Sequence, residues 1–187
     1  MDSNELFERK RYSRMTIGEV YFWTDTIKDW QTVFKSETYV EIVLSTLQNL
    51  EKRNLIVIYA FVLMPNHLHI IWKMVQMNGK EMPHASFNKF TSHRIFEDMK
   101  AGAKSNLLNF EVNDEERKLR LWQRDPLAIL IDSREMIEQK IDYIHRNPLQ
   151  EKWNLCDFPE NYKLSSAKYY LTGLDEFGFL TDYREEF

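Results

Sequence analysis

Residues 55–72 limit what this chain can fold into more than any other stretch. Leu55-Ile56-Val57-Ile58-Tyr59-Ala60-Phe61-Val62-Leu63 is an unbroken β-branched and aromatic run, and Met64-Pro65-Asn66-His67-Leu68-His69-Ile70-Ile71-Trp72 continues it with one interruption at Pro65-Asn66. Two such runs around a turn signal read as a β-hairpin. The first strand is apolar enough to be central and buried on both faces. The second carries two histidines just beyond the turn. Because side chains alternate along a strand, His67 and His69 leave the same face and are able to share one metal ion. A histidine in an apolar run is also commonly a hydrogen-bonded core residue, so the spacing leaves both readings open.

A second informative segment runs from Asp132-Ser133 to Pro148. Asp132 or Ser133 caps a helix, Glu135 sits in its first turn and Pro148 stops it. Ile137, Ile141 and Ile144 form the stripe that must face a core. Tyr143 and Asn147 lie together, one turn apart and about 80 to 120° around from that stripe. Such a tyrosine is ordinarily a boundary residue with its ring packed and its hydroxyl wet. Only in combination with other features does it point to chemistry.

The remaining elements are read more coarsely. Val20 to Ile27 predicts a first strand, and Ser36 or Thr38 opens a helix through Lys52 with Val40, Ile42, Val43, Leu47 and Leu50 on its apolar face. Phe87 to Leu108 carries a second helical pattern that Gly102 weakens. Asn109 to Arg117 reads as a polar loop, and Leu119 to Gln123 as an edge strand before the helix that bears Tyr143. The order β-α-β-β-α-β, then a further helix, fits a ferredoxin-like α+β sandwich. That sandwich would have an antiparallel central sheet, helices on one face and a C-terminal extension.

Composition sets outer bounds. At 187 residues and 43% hydrophobic, the chain suits one domain with a proper core, expected over residues 1–170. The formal net charge of −4 is not the footprint of a nonspecific nucleic-acid binder. That acidity, however, belongs to a tail over 171–187, where Asp175, Glu176, Asp182, Glu185 and Glu186 face a single base, Arg184. Basic groups interleaved with aromatic or polar residues recur at Arg9 to Arg14, Lys89 to Arg94 and Arg117 to Arg124, each able to track phosphates or to be an ordinary solvated face. The polar start, Met1 to Arg14, and the break at Pro65-Asn66-His67 predict no signal peptide and no membrane span, hence a cytoplasmic protein. A lone Cys156 excludes a cysteine-based metal cluster.

Together the segments Met64 to Trp72 and Asp142-Tyr143-Ile144-His145-Arg146-Asn147-Pro148 resemble the single-tyrosine transposases of the HUH superfamily, in particular the bacterial REP-associated tyrosine transposase branch. Leu121-Trp122-Gln123-Arg124 and Tyr162-Lys163-Leu164-Ser165-Ser166 are also similar to that family, so the resemblance spans roughly residues 12 to 170. It implies His67, His69 and Asn147 as ligands of a Mg²⁺ or Mn²⁺ ion. It also implies Tyr143 as the nucleophile, and the ferredoxin-like fold with the histidines on a central strand. The substrate it implies is single-stranded DNA beside imperfect hairpins, cut through a 5′-phosphotyrosine. Leu149-Gln150-Glu151-Lys152-Trp153 departs from the small apolar residue and glycine common after Asn-Pro in relatives, and is expected to alter how the helix docks.

The expected function is therefore a metal-dependent single-strand DNA endonuclease and strand transferase. Arg11, Tyr12, Arg14, Lys89, Arg94, Arg120, Trp122 and Arg124 are its candidate DNA contacts, and a monomer is favoured over a homodimer. Two alternatives stand beside it: a noncatalytic or domesticated hairpin-DNA-binding protein, and an unrelated His-metal hydrolase with two further acidic or histidine ligands. His84 (in a loop), His93 and His145 are assigned to no metal, and Ser165-Ser166 to no catalytic role.

Overall fold

A computed structural model describes residues 15–102, 104–113 and 118–187. Its centre is a four-stranded antiparallel sheet of β1 (Val20–Thr26), β2 (Ile56–Met64), β3 (His67–Met74) and β4 (Leu127–Ile131), in the order β2-β3-β1-β4. Helices α1 (Glu37–Lys52), α2 (Pro83–Ala101) and α3 (Arg134–Arg146) connect or follow the strands, and a short α4 (Ala167–Thr172) lies in the C-terminal segment. This is the ferredoxin-like α+β arrangement expected. Among the described residues no helix is long and apolar enough to cross a membrane.

The helices are not confined to one face. Trp23, Ile70 and Trp72 join Val43 and Leu47 of α1 and Phe87 and Ile95 of α2 in one core. Phe22, Val62, Met64 and Ile71 join Ile137, Ile141 and Ile144 of α3 in another, on the opposite face. The alternation of β1 and β3 explains why, since both strands are apolar on both faces and each face needs a cover. Each of the three isoleucines of α3 contributes about 2 kcal/mol of burial to docking that helix. Its start is set by Ser133, whose hydroxyl accepts from the Met136 amide at 3.4 Å.

The β2–β3 turn is the two-residue Pro65-Asn66 link, with Met64 paired to His67. β2 is buried as its composition requires, but it is an edge strand and not a central one. Residues 164–181 cover its outer edge: the Leu63 amide donates to the Leu164 carbonyl at 2.8 Å, the Ser166 amide to that of Phe61 at 3.0 Å and the Thr181 amide to that of Ile58 at 2.9 Å. The register slips between Ile58 and Ala60, so Tyr59 and Ala60 both face the α3 side. Glu186 bonds to the Tyr59 hydroxyl at 2.6 Å and pairs with Lys73. The tail thus packs on the sheet.

Two other readings are corrected. The fourth strand is Leu127–Ile131, not Leu119–Gln123, because β1 ends at Thr26 and leaves only Ile27 to form an isolated bridge with Trp122. His84 lies in the first turn of α2, since Pro83 opens that helix with its preset φ.

Candidate active site

His67 and His69 leave the α3 face of β3, together with Ile71. Their rings meet at a centroid distance of 4.6 Å, and both side chains are buried. Each has one nitrogen already engaged. His67 Nδ1 lies 2.6 Å from Asn66 Oδ1, and Asn66 Nδ2 donates to the Trp30 carbonyl at 3.1 Å. The Asn66 oxygen can only accept, so His67 carries its proton on Nδ1 and its lone pair on Nε2. His69 Nδ1 lies 2.6 Å from the hydroxyl of Thr24, its cross-strand partner on β1, which leaves Nε2.

The segment that orients Asn66 is strained. Asp29 and Trp30 adopt φ values of 53° and 58°, in the left-handed region that costs L-residues about 1 to 2 kcal/mol each. The Ile27 amide donates to the Asn66 carbonyl at 2.8 Å, and the Phe34 amide to that of Pro65 at 2.9 Å. These bonds clamp the turn and hold the Trp30 carbonyl against it.

From the other side, α3 brings Tyr143 against the histidines. Its ring stands edge-on to His69 at 5.3 Å and to Phe22 at 5.9 Å, while Phe22 stacks on His69 at 5.5 Å. Tyr143 remains 43% exposed. Asn147, the residue after α3, is 2% exposed, and its Oδ1 is buried with no hydrogen-bond partner. The Asn147 side chain meets His67, and a buried carboxamide oxygen next to a pair of imidazoles is a donor set a divalent cation would complete. The residues present therefore fit such an ion. Among the described residues, no group of three His, Cys, Asp or Glu side chains converges, whereas an unrelated His-metal hydrolase calls for two further such ligands beside the pair.

Burial pushes the His67 imidazole down to about 4, with Asn147 opposing and Lys152 adding to the shift. Burial also holds His69 well below its ordinary value, helped by His67, Lys152 and Lys140. Both rings are neutral near pH 7, the form that ligates metal. Burial raises Tyr143, against a lowering by the Asn147 carboxamide. A phenol in that state is a weak nucleophile until a nearby positive charge stabilises its anion.

The candidate DNA contacts are dispersed. Lys89 and Arg94 lie on α2, across the sheet from the histidines, where they pair with Glu81 and Glu97. Arg120 and Arg124 flank a segment fastened to the end of β1 nearest His67, the Gln123 amide donating to the Thr26 carbonyl at 2.7 Å. Trp122 is no stacking platform. It is 4% exposed and its Nε1 donates to Thr91 at 2.9 Å, because the core between β1 and α2 needs its volume. Arg11, Tyr12 and Arg14 lie outside the described residues.

His145 is turned away from Tyr143 and bonds through Nε2 to the Ser166 hydroxyl at 2.9 Å. Sequence reasoning missed Thr24, Phe22 and Trp153, whose ring lies 5.8 Å from that of His67. Thr24 and Phe22 become neighbours only through strand register. Asn66 carried a signal in being adjacent to His67, but its partner Trp30 did not.

The fold and this site define a ferredoxin-like sandwich with an imidazole pair on a central strand and a tyrosine helix laid over it. No protein-family model and no curated protein matches the chain. Among solved structures, it is similar to a REP-associated tyrosine transposase bound to a REP hairpin. The TM-score is 0.60 at 18% identity, covering 94% of this chain and 92% of that one. The likeness establishes a shared fold, and it falls in the same family that residues 64–72 and 142–148 resemble.

Proposed function

We propose that this protein is a metal-dependent endonuclease and strand transferase of single-stranded DNA, a transposase that cuts beside hairpins through Tyr143. The observation that carries the reading is the meeting of His69 and Tyr143, 5.3 Å apart, with the buried Asn147 carboxamide set against His67 and Tyr143. The shared fold with a REP-associated tyrosine transposase bound to a REP hairpin supports the substrate class.

In this reading, His67, His69 and Asn147 would hold Mg²⁺ or Mn²⁺, which would supply Lewis-acid activation of a phosphate oxygen. Tyr143 Oη attacks the scissile phosphorus. The bond from Oη to phosphorus forms as the bond from phosphorus to the 3′ oxygen breaks, the phenolic proton goes to solvent, and the departing strand takes a proton to become a free 3′-OH. The phosphotyrosine retains a phosphoester, so a second 3′-OH displaces Tyr143 without ATP. Asn66 keeps His67 in the tautomer that frees Nε2, Thr24 orients the His69 ring, and Phe22 fixes the Tyr143 ring beside them.

The test is a search for a covalent adduct on denaturing gels, using labelled single strands with hairpins from beside the protein's own gene, in Mn²⁺. An adduct that survives boiling and vanishes in Tyr143→Phe is expected. Tight hairpin binding with an occupied metal site and no adduct would establish a noncatalytic binder instead.

A further inference from the structure

Two lysines flank the imidazole pair, each reaching it across an aromatic ring. Lys140, one turn before Tyr143 on α3, places Nζ 5.2 Å from the Phe22 ring centroid. Phe22 in turn contacts both His69 and Tyr143. Lys152, in the segment after Asn147, places Nζ 5.8 Å from the Trp153 ring, and that ring is 5.8 Å from His67. One cation stands on the Tyr143 side of the site and the other on the His67 side.

The candidate ligands His67, His69 and Asn147 are all neutral, and two ammonium groups stand on either side of them. Both lysines depress His69, and Lys152 depresses His67 as well, so their fields do reach the pair. Positive charge on both sides of a candidate cation site suits a substrate that brings negative charge with it. A DNA strand brings that charge at every nucleotide. Lysine suits such contacts as a point charge on a flexible stem, here packed over an aromatic ring.

We propose that Lys140 and Lys152 are a two-point clamp for the phosphates on either side of the one to be cut, drawing a single strand across Tyr143. This rests on the reading of the site as a DNA nuclease, and it adds the residues that hold the strand independently of sequence.

The experiment measures binding of a short labelled oligodeoxythymidylate by fluorescence anisotropy, without metal and over a range of KCl. The proteins compared are the parent, Lys140→Gln, Lys152→Gln, the double variant and the two Lys→Arg variants. Glutamine keeps most of the packed stem and removes the charge. Each phosphate contact on single-stranded DNA contributes about 0.7 to the slope of log affinity against log salt. Each Gln variant is therefore expected to lose about 0.7 of slope, and the double variant about 1.4, with arginine restoring it.

Lys168→Gln, on α4 and paired with Glu176 at 2.6 Å, is expected to leave the slope alone. A purely structural role would lower affinity without removing slope by charge and would not be rescued by arginine. A double-variant slope equal to the parent's overturns the clamp. So does a parent that does not bind the oligonucleotide. The covalent-adduct assay reports separately on the nuclease reading, so the two failures are distinguishable.

Discussion

Asn66 Oδ1 stands 2.6 Å from His67 Nδ1 while the same carboxamide donates to the Trp30 carbonyl, and this leaves the imidazole one tautomer. Outer partners of this kind orient a ligating ring and raise its basicity. Asn66→Ala frees the ring to turn, and a weakening of Mn²⁺ affinity by about 10- to 100-fold is expected. Electron paramagnetic resonance of free Mn²⁺ reads it directly. An unchanged affinity in a variant that melts like the parent would show that His67 is held by packing alone.

Ser166 ties α3 to the edge of β2. Its hydroxyl accepts from the Phe61 amide at 3.0 Å, donates to the Phe61 carbonyl at 3.2 Å and meets His145 Nε2 at 2.9 Å. Removing it leaves a buried amide and an imidazole nitrogen without partners, each costing about 1 to 3 kcal/mol. Ser166→Ala is expected to destabilise the fold by about 2 to 4 kcal/mol in urea unfolding. Where the variant is folded, adduct formation is expected to persist, because no step uses the hydroxyl.

What could be read from the sequence is what depends on neighbours along the chain. The hairpin at Pro65-Asn66 and the stripe Ile137, Ile141, Ile144 follow from local periodicity, and so does the placing of Tyr143 one turn before Asn147. The approach of α3 to the histidines followed from family resemblance and not from periodicity. Other features depend on distant partners. Leu55 to Leu63 looked like a central strand because both of its faces are apolar, yet its second neighbour is the irregular segment 164–181 and not a strand. Leu121 and Trp122 looked like strand residues because they are apolar and adjacent, whereas both are buried beyond the end of the sheet. The roles of Thr24 and Phe22 exist only once β1 is paired with β3.

Asp25 offers a test of fold energetics apart from the site. It sits on the α2 side of β1, 1% exposed, bonded to Asn88 Nδ2 at 2.6 Å and to the Thr26 amide at 2.9 Å. Burial pushes its carboxyl up to about 8, against those two bonds. A folded value above the unfolded one means that the folded state holds the extra proton between about pH 4 and pH 8. Stability from this group is thus present below about pH 4 and lost as pH rises through about 8. Asp25→Asn mimics the neutral form. Asn88 Oδ1 is buried without a partner, so a flip of that carboxamide lets it accept from the new side chain. The variant is expected to be more stable at pH 7, by up to about 4 kcal/mol, and equal to the parent at pH 4. Equal stabilities at both pH values would mean that Asp25 ionises normally.

His69 and Tyr143 meet within one chain, at 5.3 Å, and this bears on how the site is assembled. A site shared between two subunits would need the Tyr143 of one copy to reach the histidines of another. Here Ile137, Ile141 and Ile144 dock α3 on the sheet that carries its own histidines. His67→Ala and Tyr143→Phe proteins are each expected to form no adduct, for want of a ligand and of a nucleophile respectively. Mixed in equal amounts, they are expected to remain inactive, because neither chain holds a complete set. Recovery of adduct in the mixture, to roughly a quarter of the parent level for random exchange of dimers with sites in trans, would show that α3 swaps between copies and would replace the single-chain site with a shared one.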